Sequence, residues 1–347
     1  MKVFVTGGTG LVGVHCIRAL IDNGHTPHVV VRTPEKLDRV LSPFGLSSTD
    51  CEVSVGDIND EASLREPMSR CDAVVHAAGL FSNRREDAAL MHQTNVEGTR
   101  RILHLASELK LDPIVHVSSI LALFPPPGQQ QTANDPVRSP KSVYAATKAA
   151  AEKIAREFQA EGQPVVCVYP GAVQGPFDPT VSDGPRMIAR YLKTGQVLVT
   201  RGGLVYTDVR DLATLIAKLI QPGLGPRRYM FGGHYLSHEK LHALLSGLTG
   251  RKLGAQRFPA ALLRVMGRIN DMVSAISGKS SALTYEATAV LTQSVPCDDQ
   301  PAIEAFKLQP LSVEDSFRDL VKWMFDTGML SAGKAGKLAD DGHPPDR

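Results

Sequence analysis

KVFVTGGTGLVG, residues 2–13, carries a strand, a turn and the opening of a helix. Lys2 to Val5 set β-branched and aromatic residues in succession, which predicts a short buried strand. Thr6 to Gly10 cannot extend it, because glycines at 7, 8 and 10 favour a tight turn with access to positive φ. From Leu11 onward apolar residues recur at helical spacing until Gly24. Gly7, Gly10 and Gly13 are spaced as GxxGxxG. At such a junction the first two let backbone approach a pyrophosphate, and the third lets the helix pack closely on the strand. The unpaired N–H groups of the helix start, at the positive end of its dipole, then face the phosphates. The unit predicts dinucleotide binding. A plain structural turn is the competing reading, since glycine turns also serve as simple connections.

The chain has 347 residues, enough for a large core in one big domain or two coupled ones. Its 43% hydrophobic and 21% charged content is that of a globular protein in water. A net charge of +2 argues against nucleic acid as the main partner. No secretory signal is read at the first strand, and no apolar run is long enough to cross a bilayer. Cys16, Cys51, Cys71, Cys167 and Cys297 are scattered without a CxxC pair, which suits buried thiols in a reducing cytoplasm. The histidines lack metal-ligand spacing, so no metal site is expected.

A second strand, Pro27 to Val31, ends at Arg32. An acid near this point would accept hydrogen bonds from the adenosine ribose and repel a phosphate. None stands between 26 and 34; Arg32, Lys36 and Arg39 are there instead. Guanidinium groups pair well with phosphate, so NADP(H) is expected over NAD(H). The competing reading is solvated surface cations. A third strand, Asp50 to Val55, is followed by Asp57, which either accepts a hydrogen bond from the adenine amino group or caps the helix over residues 61–70. A fourth, Ala73 to His76, runs into Ala77, Ala78 and Gly79, small enough for backbone to press on a cofactor. A long helix is expected from Asp87 to Leu109, with Asn95 bonded to neighbouring backbone.

The fifth strand, Pro113 to Val117, delivers Ser118 and Ser119. A Pro-rich loop over residues 122–140 leads to the helix SVYAATKAAAEKIAREFQA, where Tyr144 and Lys148 share one face. Val165 to Tyr169 is the next strand and ends in PGAVQGPFD. Alternating strand and helix predicts an α/β fold, a doubly wound parallel sheet over residues 1–175 with ligands at the carboxyl ends of its strands. Beyond residue 176 the rhythm changes. Residues 176–330 are expected mainly to form a smaller C-terminal substrate lobe, with part of 205–235 returning to the core. The apolar helix over 259–276 could face substrate, a dimer partner or a membrane surface. Residues 331–347 read as a disordered tail.

Taken in order, TGGTGLVG, HAAG, NVEGT, VSS, YAATK and YPGAVQGP resemble an extended short-chain dehydrogenase/reductase, over residues 1 to about 325. Within that superfamily the chain is similar to the dihydroflavonol reductase and 3β-hydroxysteroid dehydrogenase branch. The resemblance implies a Rossmann-type core and a catalytic set of Ser119, Tyr144 and Lys148, with Ser118 open for the serine's role. It implies cofactor contacts from Gly7, Thr9, Gly10, Leu11, Val12, Asp57, Ile58, Ala77, Ala78, Gly79, Tyr144, Lys148, Pro170 and Val173. Arg32 matches the branch's arginine for the adenosine phosphate, and Arg39 stands where a second cation is carried. Two departures bear on substrate. Ala172 replaces an asparagine usual in nucleotide-sugar epimerases, and Ile120 and Leu121 replace the acid pair of sugar dehydratases.

The implied activity is NADP(H)-dependent reduction of a carbonyl, or oxidation of an alcohol, on an apolar small molecule. Lys148 is expected to lower the Tyr144 pKa. The alternatives are a nucleotide-sugar epimerase with bound NAD and a non-catalytic NADP(H)-sensing protein. A homodimer is possible by analogy.

Overall fold

A computed structural model describes residues 1–82, 84–277 and 284–340. Its strands are β1 (Lys2–Thr6), β2 (Thr26–Val31), β3 (Glu52–Val55), β4 (Ala73–His76), β5 (Ile114–Val117), β6 (Val165–Pro170), β7 (Ala172–Gln174), β8 (Gln196–Val199), β9 (Gly203–Asp208), β10 (Arg227–Phe231), β11 (His234–Ser237) and β12 (Gly254–Arg257). Seven form one parallel sheet in the order β3-β2-β1-β4-β5-β6-β10. The order reverses between β1 and β4, and that reversal opens a crevice at their carboxyl ends.

The central strands β1, β4, β5 and β6 are buried on both faces, which is why they read as largely apolar runs, whereas the edge strands β3 and β10 keep Glu52, Ser54, Arg227 and Arg228. Val3, Val5 and Val29 pack with Val14, Ile17 and Leu20 of the Leu11–Asp22 helix and with Leu212 and Ile216 of the Val209–Lys218 helix. On the other face Phe4, Val74 and Ile114 pack with Ile102 and Leu103 of the Gly98–Glu108 helix and Ile154 of the Val143–Ala160 helix. Alternate residues of β1 therefore feed two cores.

After β6 the chain leaves the sheet. Gly171 makes the exit possible: a Cβ there would lie 2.7 Å from the Val205 carbonyl oxygen and 2.8 Å from that of Gly232. β7, β9 and β11 form a second sheet and β8 and β12 a parallel pair, while β10 returns to the main sheet beside β6. A third core gathers Leu241, Leu245, Phe317, Leu320, Trp323 and Met324.

Two expectations are corrected. The helix expected over 87–109 is broken into Ala88–His92, a π-helical segment Gln93–Glu97 and Gly98–Glu108. The reason is Asn95: its amide donates to the Leu80 carbonyl and Thr147 Oγ1 and accepts from the Leu80 N–H. Nor is the tail disordered over 331–340. Ala332–Ala335 is helical, and Ala335 and Leu338 are buried. Arg251 holds this segment by donating from Nη1 to the Lys334 carbonyl at 2.7 Å. Two apolar anchors suffice in a stretch whose average composition is polar. Residues 341–347 lie outside the described residues.

Candidate functional site

The glycine turn ends β1. Gly7 has φ +77°, and a Cβ there would sit 2.7 Å from the Ala78 nitrogen. A Cβ on Gly13 would stand 2.1 Å from the Gly7 carbonyl oxygen. Gly7 thus packs closely against Ala77 and Ala78. Gly10 differs: only the Gly7 oxygen, at 3.4 Å, would meet its Cβ. Gly10 is the N-cap of the Leu11–Asp22 helix, in extended conformation and without a side-chain cap. The first N–H groups of the helix are left unpaired at an open, half-exposed surface made by Thr9, Gly10 and Val12. An anionic group fits there by charge and by space. Leu11 contributes through its backbone, since its side chain is buried.

Around the crevice, Ala77 and Ala78 are half-buried and Gly79 exposed. The Ala78 N–H donates to Thr6 Oγ1 at 3.3 Å, fixing the end of β4 to the end of β1. At the end of β2, Arg32 is exposed, and its Nη1 lies 4.0 Å from Asp57 Oδ2. Asp57 does not cap the following helix; Asp60 does, accepting from the Ala62 N–H. Asp57 Oδ1 accepts from Asn59 N–H instead. Ile58 is held on the Gly98–Glu108 helix, where Arg101 Nη1 donates to its carbonyl and its side chain fills the space a Cβ on Gly98 would need. Arg39 is exposed near the end of the Pro34–Leu41 helix, away from the buried Leu37 and Leu41. Pro170 is buried at the end of β6, and Val173 packs against the first core from β7.

The second cluster stands on the Val143–Ala160 helix. Ser142 is its N-cap and accepts from the Ala145 N–H. Lys148 is 9% exposed, and its Nζ donates to the Val117 carbonyl, the last of β5, at 2.9 Å. This bond pins the helix to the strand end that carries Ser118 and Ser119. Burial lowers the Lys148 pKa to about 8, with Glu152 and Cys167 opposing the shift. Burial also pushes the Tyr144 phenol up to about 12. The expected lowering by Lys148 is therefore corrected: loss of solvent sets the direction of the Tyr144 shift. Phe81 meets the Tyr144 ring edge to face at 4.7 Å.

The two serines face different tasks. Ser118 Oγ donates to Glu152 Oε2 at 2.7 Å, inside the protein. Glu152 Oε1 also accepts from Tyr169 OH at 2.6 Å and Arg156 Nε at 2.8 Å. Ser119 Oγ accepts from the Leu121 N–H and opens the short turn Ile120–Leu123. The structure thus commits Ser118 to the interior. Sequence reasoning missed Glu152, although it follows Lys148 by four residues and so continues the Tyr144–Lys148 face. It also missed Phe81, and the three bonds by which Glu286 accepts from Lys141 N, Ser142 N and Ser142 Oγ. No local signal announces a partner 144 residues away.

Beneath this cluster His76 and His116 stack at 5.5 Å in register across β4 and β5. His76 bonds Thr6 Oγ1 and Thr99 Oγ1. Burial lowers its pKa to about 3 and, with Lys148 nearby, holds His116 well below the usual range. Both imidazoles are neutral at physiological pH.

The chain is 28% identical over 335 residues to a "Putative dihydroflavonol 4-reductase" of Synechocystis, covering 94% of this chain and 95% of that protein. It is 24% identical over 334 residues to the "Sterol demethylase protein B" of Methylococcus capsulatus, covering 95% and 100% respectively. Among solved structures, a dTDP-glucose 4,6-dehydratase, DesIV of Streptomyces venezuelae with NAD bound, aligns with TM-score 0.74 and 21% identity over 95% of this chain and 98% of that one. That likeness concerns the fold. Residues 3–232 match the family described as NAD dependent epimerase/dehydratase. The chain belongs to the NAD dependent epimerase/dehydratase family and is an NAD(P)-dependent oxidoreductase acting on CH–OH or C=O groups.

Proposed function

We propose that this protein is an NADP(H)-dependent oxidoreductase that reduces a carbonyl on a largely apolar small molecule, through Ser119, Tyr144 and Lys148. One observation carries the reading: the Lys148–Val117 bond fixes the Tyr144 face of its helix at the strand end from which Ser119 emerges. The cofactor, when bound, supplies the hydride. The protein supplies a proton and a place for negative charge. Tyr144 gives its phenol proton to the carbonyl oxygen as that oxygen gains charge. A phenol held at about 12 is protonated at neutral pH, the form that reduction needs. Lys148, with a pKa of about 8, is mostly charged at pH 7 and stabilises the phenolate left behind. Ser119 donates a hydrogen bond to the same oxygen. Hydride and proton together convert C=O to CH–OH.

The cofactor residues of this reading are Gly10, the backbone of Leu11 and Val12, Thr9, and Ala77 to Gly79. Asp57 and Ile58 stand at the adenine, Pro170 and Val173 at the nicotinamide end. Arg32 supports NADP(H), since its exposed guanidinium can pair with a phosphate on the adenosine ribose. An apolar substrate is supported by Phe81 beside Tyr144 and by the absence of an acid at Ile120 and Leu121. Ala172 argues against a sugar-nucleotide substrate.

The test follows NADPH and NADH absorbance with a panel of apolar ketones and aldehydes, with sugar nucleotides in parallel. Tyr144→Phe is expected to bind NADPH and lose turnover by about a thousandfold. Unchanged turnover in that variant refutes the assignment. Sugar-nucleotide interconversion without net NADPH use would transfer the site to epimerase chemistry.

A further inference from the structure

The Ala260–Ser277 helix is inverted with respect to solvent. Leu262, Val265, Met266, Ile269, Met272 and Val273 recur at spacings of three and four, and so form one stripe. All six are between 37% and 67% exposed. The polar residues turn to the neighbouring helix, Tyr285–Gln293. Arg264 Nη1 donates to Thr292 Oγ1 at 3.1 Å, the Arg268 guanidinium lies 4.6 Å from the Tyr285 ring centre, and Asp271 accepts from the Tyr285 N–H. Gly267 lets the two helices touch, since a Cβ there would be 2.7 Å from Thr288 Oγ1. A helix in water ordinarily packs the other way round.

We propose that this helix seats the protein on a lipid surface, its stripe in the acyl–headgroup boundary. Two observations favour lipid over a second copy. The six side chains present on the order of 500 Å² of apolar surface, the upper end of what a monomer exposes and short of the ~800 Å² per partner of a stable interface. The stripe holds no aromatic, arginine or hydrogen-bonding group, the usual anchors of a protein partner. Hydrocarbon offers no hydrogen bond and asks for none. The helix is roughly 27 Å long at 1.5 Å per residue, and no described helix is long and apolar enough to cross a membrane, so it lies along the surface.

The geometry also orients the site. Glu286, on the partner helix, holds the backbone of Lys141 and Ser142 at the start of the Tyr144 helix. Val143 and Phe81, beside Tyr144, are exposed apolar side chains at the same end. The crevice mouth then lies near the lipid, which supplies its apolar substrate. This last consequence rests on the function proposed above; the docking does not.

The experiment is flotation of the whole protein with phosphatidylcholine vesicles, and with vesicles containing about one third phosphatidylglycerol, at low and high salt. The wild type is expected to float with both and to remain bound at high salt, because the stripe is uncharged. Ile269→Glu/Met272→Glu is expected to cut the bound fraction about tenfold while leaving the melting temperature within about 2 °C, both sites being exposed. The proposal is overturned if the wild type stays in solution, if variant and wild type float alike, or if binding is confined to anionic vesicles at low salt. It is equally overturned if light scattering finds a dimer that the variant splits. Flotation needs no turnover, so a failed carbonyl assay leaves its result readable. Loss of activity on a vesicle-dissolved ketone, with a water-soluble aldehyde still reduced, would tie the docking to the site.

Discussion

Replacing Lys148 by methionine is expected to make the protein more stable and inactive at once. The amine is buried, and its pKa falls from 10.5 to about 8. A shift of that size corresponds to ~3 kcal/mol spent on keeping the charged form inside at neutral pH. Methionine keeps most of the volume and removes the charge. It also removes the bond to the Val117 carbonyl, worth about 1 kcal/mol net. The expected gain at pH 7 is therefore ~2 kcal/mol, or a few degrees in melting temperature. The pH dependence fixes the cause. Because the folded pKa lies below the unfolded one, the folded protein releases this proton first as pH rises. The destabilisation is complete below about pH 8 and fades towards 10.5. Urea denaturation of wild type and Lys148→Met, without added nucleotide, at pH 7 and pH 10 reads both quantities. A variant less stable than wild type at pH 7, or a gap that does not narrow by pH 10, refutes the reasoning. Enzymes commonly hold such groups at a cost in stability.

Arg32→Ala is expected to raise the KM for NADPH about ten- to a hundredfold and to leave that for NADH nearly unchanged, as steady-state kinetics with each cofactor will read. Equal changes for both would remove the phosphate from the Arg32 site. Gly13→Ala places a methyl 2.1 Å from the Gly7 oxygen and is expected to destabilise the fold by about 3 kcal/mol or more, with nucleotide binding lost; an unaltered melting curve would contradict the close packing described. Ser119→Ala is expected to lower kcat with little effect on stability. Ser118→Ala should instead lower stability by about 1–3 kcal/mol, because it leaves a buried carboxylate one partner short. The reverse pattern, read by kinetics and denaturation side by side, would exchange the two serines.

What the chain discloses in one dimension follows from locality. The strand–turn–helix at residues 2–22 is decided by its own glycines and apolar spacing, and the central strands β1, β4, β5 and β6 are visible because burial on both faces needs largely apolar runs. Tyr144 and Lys148 are legible because one helical turn is a fixed distance. Glu152, one turn further, carries no local mark of what it does. Its role is set by Ser118 and Tyr169, which the ends of β5 and β6 bring to it, and by Arg156, one turn further along the same helix. Asn95 bonds to backbone as its place in a packed helix predicts, yet its partners at Leu80 and Thr147 stretch the helix into a π segment. The ordered stretch 331–340 escaped notice because burial of Ala335 and Leu338 depends on a surface formed elsewhere. Propensity describes segments; these features belong to meetings between segments.

The clasp between Glu286 and the backbone at Lys141 and Ser142 has a consequence for how such enzymes diversify. Through these three bonds a residue far along the chain, beyond position 176, holds the start of the helix bearing Tyr144. The two stretches of chain are therefore not interchangeable modules. A chimera that keeps this chain's first 176 residues and borrows the remainder from a relative must carry an acceptor at the Glu286 position. Without one, Lys141 and Ser142 lose their anchor and the first turn carrying Tyr144 is free to fray. Lineages that exchange substrates would do so by altering side chains around the clasp while leaving the clasp in place.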